Sequence, residues 1–149
     1  MAPERRDRAR PISLAVIRRG EDLLVYRGQS RVEPKPYFRP LGGGIEFGER
    51  AEAALHRELM EELGVEVTAA HLLGVLENIF TNDGEVRHEI VFVYEALLVD
   101  RSLYDRNELW PSLDEGNPVS WQPSGKFVQG HASLYPEGLL DLLVPPAGA

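Results

Sequence analysis

Three glutamates, Glu58, Glu61 and Glu62, stand at positions i, i+3 and i+4 of one short segment. On an α-helix this spacing puts their carboxylates on neighbouring points of a single face. Like charges so placed repel by roughly a few tenths of a kcal/mol per pair. A bound divalent cation turns that repulsion into attraction. Oxygen donors in a tight group suit Mg²⁺ or Mn²⁺. A site of that kind can neutralise phosphate charge and activate water.

A helix must present these acids. The pattern predicts one from Glu49 or Arg50 to Leu63, with Ala51, Leu55, Leu59 and Leu63 as its buried stripe and Gly64 as the residue that ends it. The acids are expected off that stripe, facing a cleft. Glu49, at the helix entrance, also favours the helix dipole. Strands are expected on both sides. Pro11 to Arg18 holds a β-type run, Leu23 to Tyr26 is a short strand, and residues 27–36 are a polar loop rich in proline. Tyr37 to Leu41 leads into a bend at Gly42-Gly43-Gly44, where backbone can approach a ligand closely. Val65 to Val67, His71 to Phe80 and Arg87 to Leu98 read as further strands, with a turn at Asn82-Asp83-Gly84. Residues 100–116 read as a long loop, Val119 to Trp121 as a short strand, and Pro136 to Leu143 as a terminal helix. A central helix flanked by strands implies a mixed α/β layered domain.

With 149 residues the chain is long enough for one domain with a real core. The expected organisation is a flexible basic tail over residues 1–10 and a single domain over 11–145. The formal net charge of −8 argues against nonspecific nucleic-acid binding. No apolar run reaches membrane-spanning length. The lack of cysteine excludes disulfides and thiolate metal sites and fits a cytoplasmic setting. The four histidines lack zinc spacing, and Ser124-Gly125-Lys126 lacks the remainder of a phosphate-binding P-loop.

Residues 43–65 resemble the Nudix signature, G-x5-E-x7-R-E-U-x-E-E-x-G-U, where U is bulky and aliphatic. Gly43, Glu49, Arg57, Glu58, Leu59, Glu61, Glu62, Gly64 and Val65 fill every fixed position. The resemblance implies an α/β/α sandwich around a mixed sheet. It also implies a metal-dependent hydrolase that splits a diphosphate linkage in a nucleoside diphosphate joined to a group X. On the same grounds the expected cofactor is Mg²⁺ or Mn²⁺, the partner a small nucleotide-type molecule, and the assembly a homodimer in many relatives. Metal ligands would be the Gly42 carbonyl, Glu58, Glu61 and Glu62. Arg57 would orient a catalytic glutamate, and Glu49 would support or join the site.

Glu115-Gly-Asn-Pro118-Val-Ser-Trp121 resembles an E-x-x-P-x-x-W arrangement downstream in some nucleotide-cleaning Nudix enzymes. It suggests Glu115 as a further ligand or general base, with a solvated loop acid as the competing reading and Glu89 as a rival for the role. It also gives a mild preference for nucleoside di- or triphosphates. Arg27, Arg39 and Arg87 are candidate phosphate contacts, and Phe38 a candidate base-stacking or core aromatic. The alternative function is a Nudix-fold nucleotide-binding or regulatory module without hydrolysis. Such modules usually lose signature acids, and this chain keeps them all.

Overall fold

The computed structural model describes residues 8–28 and 36–143. Residues 1–7 of the expected tail, 29–35 of the expected loop and the end of the expected domain after 143 lie outside the described residues. β1 (Arg10–Val16) starts one residue inside the expected tail. Its near-continuous apolar run is buried on both faces. Ala15 and Ile17 belong to one core; Ile12, Leu14 and Val16 belong to the other. A strand covered on both sides reads as an unbroken hydrophobic stretch.

β2 (Arg18–Arg19) and β3 (Asp22–Gly28) follow, then β4 (Tyr37–Gly44). The three glycines expected as a bend lie inside β4. The first half of β4 pairs with β3 and the second half with β1, so the strand crosses between two parts of the sheet at its glycines. After α1 (Ala51–Leu63) come β5 (Val67–Asn82) and β6 (Glu85–Leu98), an antiparallel pair longer than the separate strands expected. Two register shifts near His71 and Gly74 keep β5 continuous where the sequence pattern breaks. A 3-10 turn spans Arg101–Asp105, and β7 (Val119–Pro123) pairs with β3. α2 (Ser124–Val128), unexpected from the sequence, precedes β8 (Ser133–Leu134). The terminal helix α3 (Leu139–Leu143) is shorter than the Pro136 start suggested.

The strand order is β2-β3-β4-β1-β6-β5, with β7 on β3 and β8 on β4. β1 runs parallel to β6 and β4 to β8, while the other pairs are antiparallel, so the sheet is mixed. α1 covers one face through Leu55, Leu59 and Leu63. Phe127, Leu139 and Leu143, from α2 and α3, cover the other. The α/β/α layering expected from the family resemblance is the layering found. Each fully buried leucine contributes about 1.5–3 kcal/mol. Among the described residues no helix is long and apolar enough to cross a membrane.

Candidate active site

The two halves of the site are β4 and α1, and three local features fix them together. Ser13 on β1 donates its hydroxyl to the Ala51 carbonyl at 2.7 Å, pinning the start of α1 to the sheet. Gly64 ends the helix in the left-handed region at φ 70°, with its N–H turned back to Leu59 and Met60. Ala54, rather than Ala51, completes the buried stripe with Leu55, Leu59 and Leu63.

Glu62 lies on the edge of that same stripe, seven residues from Leu55, and is only 4% exposed. Glu62 is therefore part of the buried side of the helix, where the sequence reading expected all three acids off the stripe and facing a cleft. The Gly42 N–H donates to Glu62 Oε2 at 3.2 Å. Burial pushes the Glu62 carboxyl up to about 8, against the pull of Arg39 and the Gly42 N–H; Asp114 and Glu58 push the same way as burial.

Glu58 packs against the backbone of β4. A Cβ on Gly43 would sit 2.5 Å from the Glu58 carboxyl carbon, so only glycine leaves room for it. Arg57 binds everything around it. Its Nη1 donates to Glu58 at 3.0 Å and to Glu61 at 3.1 Å. Its Nη2 donates to the Gly44 carbonyl at 2.9 Å, and Nη2 with Nε forms a two-pronged pair with Glu49 at 2.9 and 2.8 Å. The Arg57 hydrogen bonds, then the Glu46 N–H, hold the Glu49 carboxyl down at about 2. Arg57 thus ties the loop before α1, the helix and β4 into one unit.

The Glu61 side chain is 59% exposed and turned to Arg57. Among the described residues no three Asp, Glu or His side chains are gathered closely enough to share one ion. The convergence expected of Glu58, Glu61 and Glu62 is divided between a guanidinium outside and a buried backbone amide inside.

Glu58 and Glu62 open onto a cleft of ≈ 250 Å³, together with Arg10, Arg39, Gly42–Gly44, Asp114 and Glu115. The loop after β6 delivers the last two. Its Leu113 N–H donates to the Glu62 carbonyl at 2.8 Å, and the Trp110 indole N–H donates to the Leu63 carbonyl at 3.0 Å. Glu115 is exposed and receives the Asn117 amide at 3.3 Å. Arg39 stacks over Tyr26 at 5.2 Å and donates to the Gly42 carbonyl at 3.2 Å. Its Nε is buried without a partner among the described residues. The Gly42 carbonyl, an expected metal ligand, keeps its second lone pair.

Other candidates fall elsewhere. Phe38 is 5% exposed, edge-on to Phe127 at 5.9 Å, and belongs to the core rather than to a stacking surface. Arg27 is exposed on β3 and does not line the cleft, and Arg87 faces Glu85 at 3.5 Å on the β5–β6 hairpin. Glu89 is 8% exposed, accepts the Tyr135 hydroxyl and is not among the residues lining the cleft, although it pairs in register with Arg10 and its charge acts on Arg39. Sequence reasoning missed Arg10, Tyr26, Asp114 and Asn117 as lining residues. Tyr26 carried a signal, since it lies two residues beyond Leu24 and so on the same face of β3; the others are brought in by loop and strand-end geometry.

A sequence profile of the NUDIX domain matches residues 8–135. The chain is 29% identical over 119 residues to the NAD-capped RNA hydrolase NudC of Chromobacterium violaceum, covering 76% of this chain and 38% of that protein. The chain therefore spans well under half the length of that relative. In structure it is similar to a MutT NUDIX hydrolase from Burkholderia pseudomallei, with TM-score 0.61 and 23% identity over 80% of this chain and 86% of the other. It is also similar to a NUDIX hydrolase from Nitrosomonas europaea, with TM-score 0.66 and 19% identity over 91% and 86%. At these identities the structural likeness speaks for the fold.

Proposed function

From the premise that this chain belongs to the Nudix hydrolase family, we propose that it hydrolyses a diphosphate linkage in a nucleoside diphosphate joined to a group X. A divalent ion, Mg²⁺ or Mn²⁺, is part of that proposal. The observation that carries it is the buried Glu62 carboxylate beside Glu58 in a cleft that also holds two arginines. A carboxyl this buried costs free energy when charged unless a cation compensates it. The donors are all hard oxygens, from Glu58, Glu62 and the Gly42 carbonyl, and they fit such an ion. When bound there, the ion supplies charge neutralisation on the anhydride oxygens and lowers the pKa of a bound water.

The chain's own residues do the rest. Arg57 holds the Glu58 and Glu61 carboxylates in place through its hydrogen bonds. Glu49 fixes Arg57 in turn. Arg10 and Arg39 face the cleft and offer positive charge to phosphate oxygens. Glu115, lining the cleft on an exposed loop, is the proton acceptor we assign to the attacking water. Glu89, held by Tyr135, is set aside for that role. Small nucleoside di- or triphosphates are the favoured substrates, on the Glu115 to Trp121 resemblance.

The test is a panel of nucleoside triphosphates, nucleotide sugars, ADP-ribose and dinucleoside polyphosphates, incubated with Mg²⁺ or with chelator and read by product chromatography. Cleavage at a phosphoanhydride that stops on chelation is expected. Absence of any product across the panel in Mg²⁺ and in Mn²⁺ would contradict the proposal.

A further inference from the structure

The β5–β6 hairpin has one covered face and one open face. Directly opposed residues of an antiparallel pair share a face, so Leu76 and Asn78 of β5 lie on the side of Val91 and Glu89. The segment after β8 closes that side. Asn78 exchanges hydrogen bonds with the Glu137 backbone at 3.1 and 3.0 Å, and Leu142 packs over Gly74. The opposite side holds Val75 beside Phe92, Glu77 beside Ile90, and Ile79 beside His88. There α1 lies mainly over β4 and β1, and Val75 is 49% and Ile79 66% exposed. The open face of an antiparallel sheet is ordinarily polar. This one is largely apolar, the mark of a surface that is covered in use.

β5 is also the last strand of the sheet, so among the described residues no strand pairs with its outer edge. From Gly74 to Asn82 it runs in unbroken register with β6. That stretch has no lysine, arginine or proline, the residue types that ordinarily guard a free edge. Its one charge, Glu77, is turned back onto β6 by His88 at 2.9 Å. An edge of this kind is completed by another extended strand. A two-fold axis brings β5 of a second copy alongside, antiparallel, and satisfies both edges at once. The charges allow it. Arg87 faces Glu85 at 3.5 Å, so the ionic groups of the patch have partners inside the chain. Two copies of a chain of net charge −8 can meet here without bringing unpaired like charges together. A strongly charged partner finds no unpaired charge among the described residues of the patch. Residues 72–82 and 85–92 together approach the roughly 20 residues a side of a small stable interface.

We infer that the outer edge of β5, with the apolar face of Val75 and Ile79 beside it, is where a second copy of this chain docks, joining two sheets into one across a two-fold axis. Sedimentation equilibrium from about 1 to about 500 µM compares the intact protein with Val75→Lys, Ile79→Lys and Val128→Lys. The last is a control, 62% exposed on α2 and outside the hairpin. The intact protein and the control are expected to rise from the chain's 16.7 kDa toward twice that mass. Val75→Lys and Ile79→Lys should dimerise at least about tenfold more weakly, because each sets a lysine on the paired edge of both copies. Their Tm at low concentration should stay near that of the intact protein, since both side chains are exposed. Hydrogen exchange of the intact protein reads the same contact without a substitution. Amides of residues 75–81 should be better protected at the high concentration than at the low, with those of Leu14 to Val16 unchanged; this comparison decides if the lysine variants unfold. A monomer throughout the range would overturn the interface. So would a dimer equally tight in all four proteins, or exchange at residues 75–81 that ignores concentration while the mass doubles.

Discussion

At Gly43 the missing side chain is what lets Glu58 reach the backbone of β4. Gly43→Ala should push that carboxylate out of the cleft. The expected result is a fall in kcat of about 100-fold or more, the scale of losing one positioned charged group, with little change in Tm; steady-state kinetics and thermal melting check both. Glu62 makes a pH prediction. Its folded pKa of about 8 lies above the ordinary carboxyl value of 4.5. The fold favours the neutral acid, so that stabilisation is full below about pH 4.5 and is lost as pH rises through about 8. Glu62→Gln keeps an acceptor for the Gly42 N–H and carries no charge. In chelator, urea unfolding from pH 5 to 9 should therefore show the intact protein losing stability relative to the variant, with a limiting slope of about 1.4 kcal/mol per pH unit. A pH-independent difference would contradict the buried-acid account. The identity of these acids was readable from their spacing. The burial of Glu62 was not, because i+7 from Leu55 places it at the margin of the apolar stripe, where side-chain type and helical angle give opposite answers.

At the scale of elements, α1 and the loop after β6 depend on each other. Trp110 ties the loop to the last turn of α1 through the Leu63 carbonyl. Trp110→Phe keeps the ring and removes the N–H. It should cost about 1 kcal/mol of stability and lower kcat more than it raises KM, because Glu115, the assigned proton acceptor, loses its anchor; kinetics alongside denaturation separates the effects. Leu59→Ala, at the centre of the helix–sheet core, should cost about 2–5 kcal/mol, measured by urea unfolding. The helix was legible because its 3.6-residue period, glycine stop and acids agree. The long loop was legible only as a loop. Its hydrogen bonds to α1 run between residues some fifty positions apart and leave no local pattern, and α2 is too short to show one.

For the whole molecule, β1 is the hinge between two cores, one under α1 and one under α2 and α3. The tip of the β5–β6 hairpin, by contrast, has Ile79 and Val86 exposed and pairs only with itself around Asn82 and Glu85. Hydrogen exchange should find amides of Leu14 to Val16 opening only with global unfolding, and amides near residues 80–87 exchanging far sooner. Comparable protection in both would contradict this division. That β1 is a strand was visible in its apolar run, interrupted only by Ser13; its burial on both faces was read from the structure. The crossing of β4 between β3 and β1 was not, since three consecutive glycines permit a bend, a turn or a strand equally, and long-range pairing decides among them.

The most direct measurement is Mn²⁺ binding by electron paramagnetic resonance, with nucleotide present, in the intact protein and in Glu58→Gln and Glu62→Gln. Tight uptake by the intact protein that is weakened at least tenfold in each variant, with the fold retained by circular dichroism, is the expected result. Equal Mn²⁺ uptake in all three, or none in the intact protein, would contradict a catalytic ion held between the helix and the glycine strand.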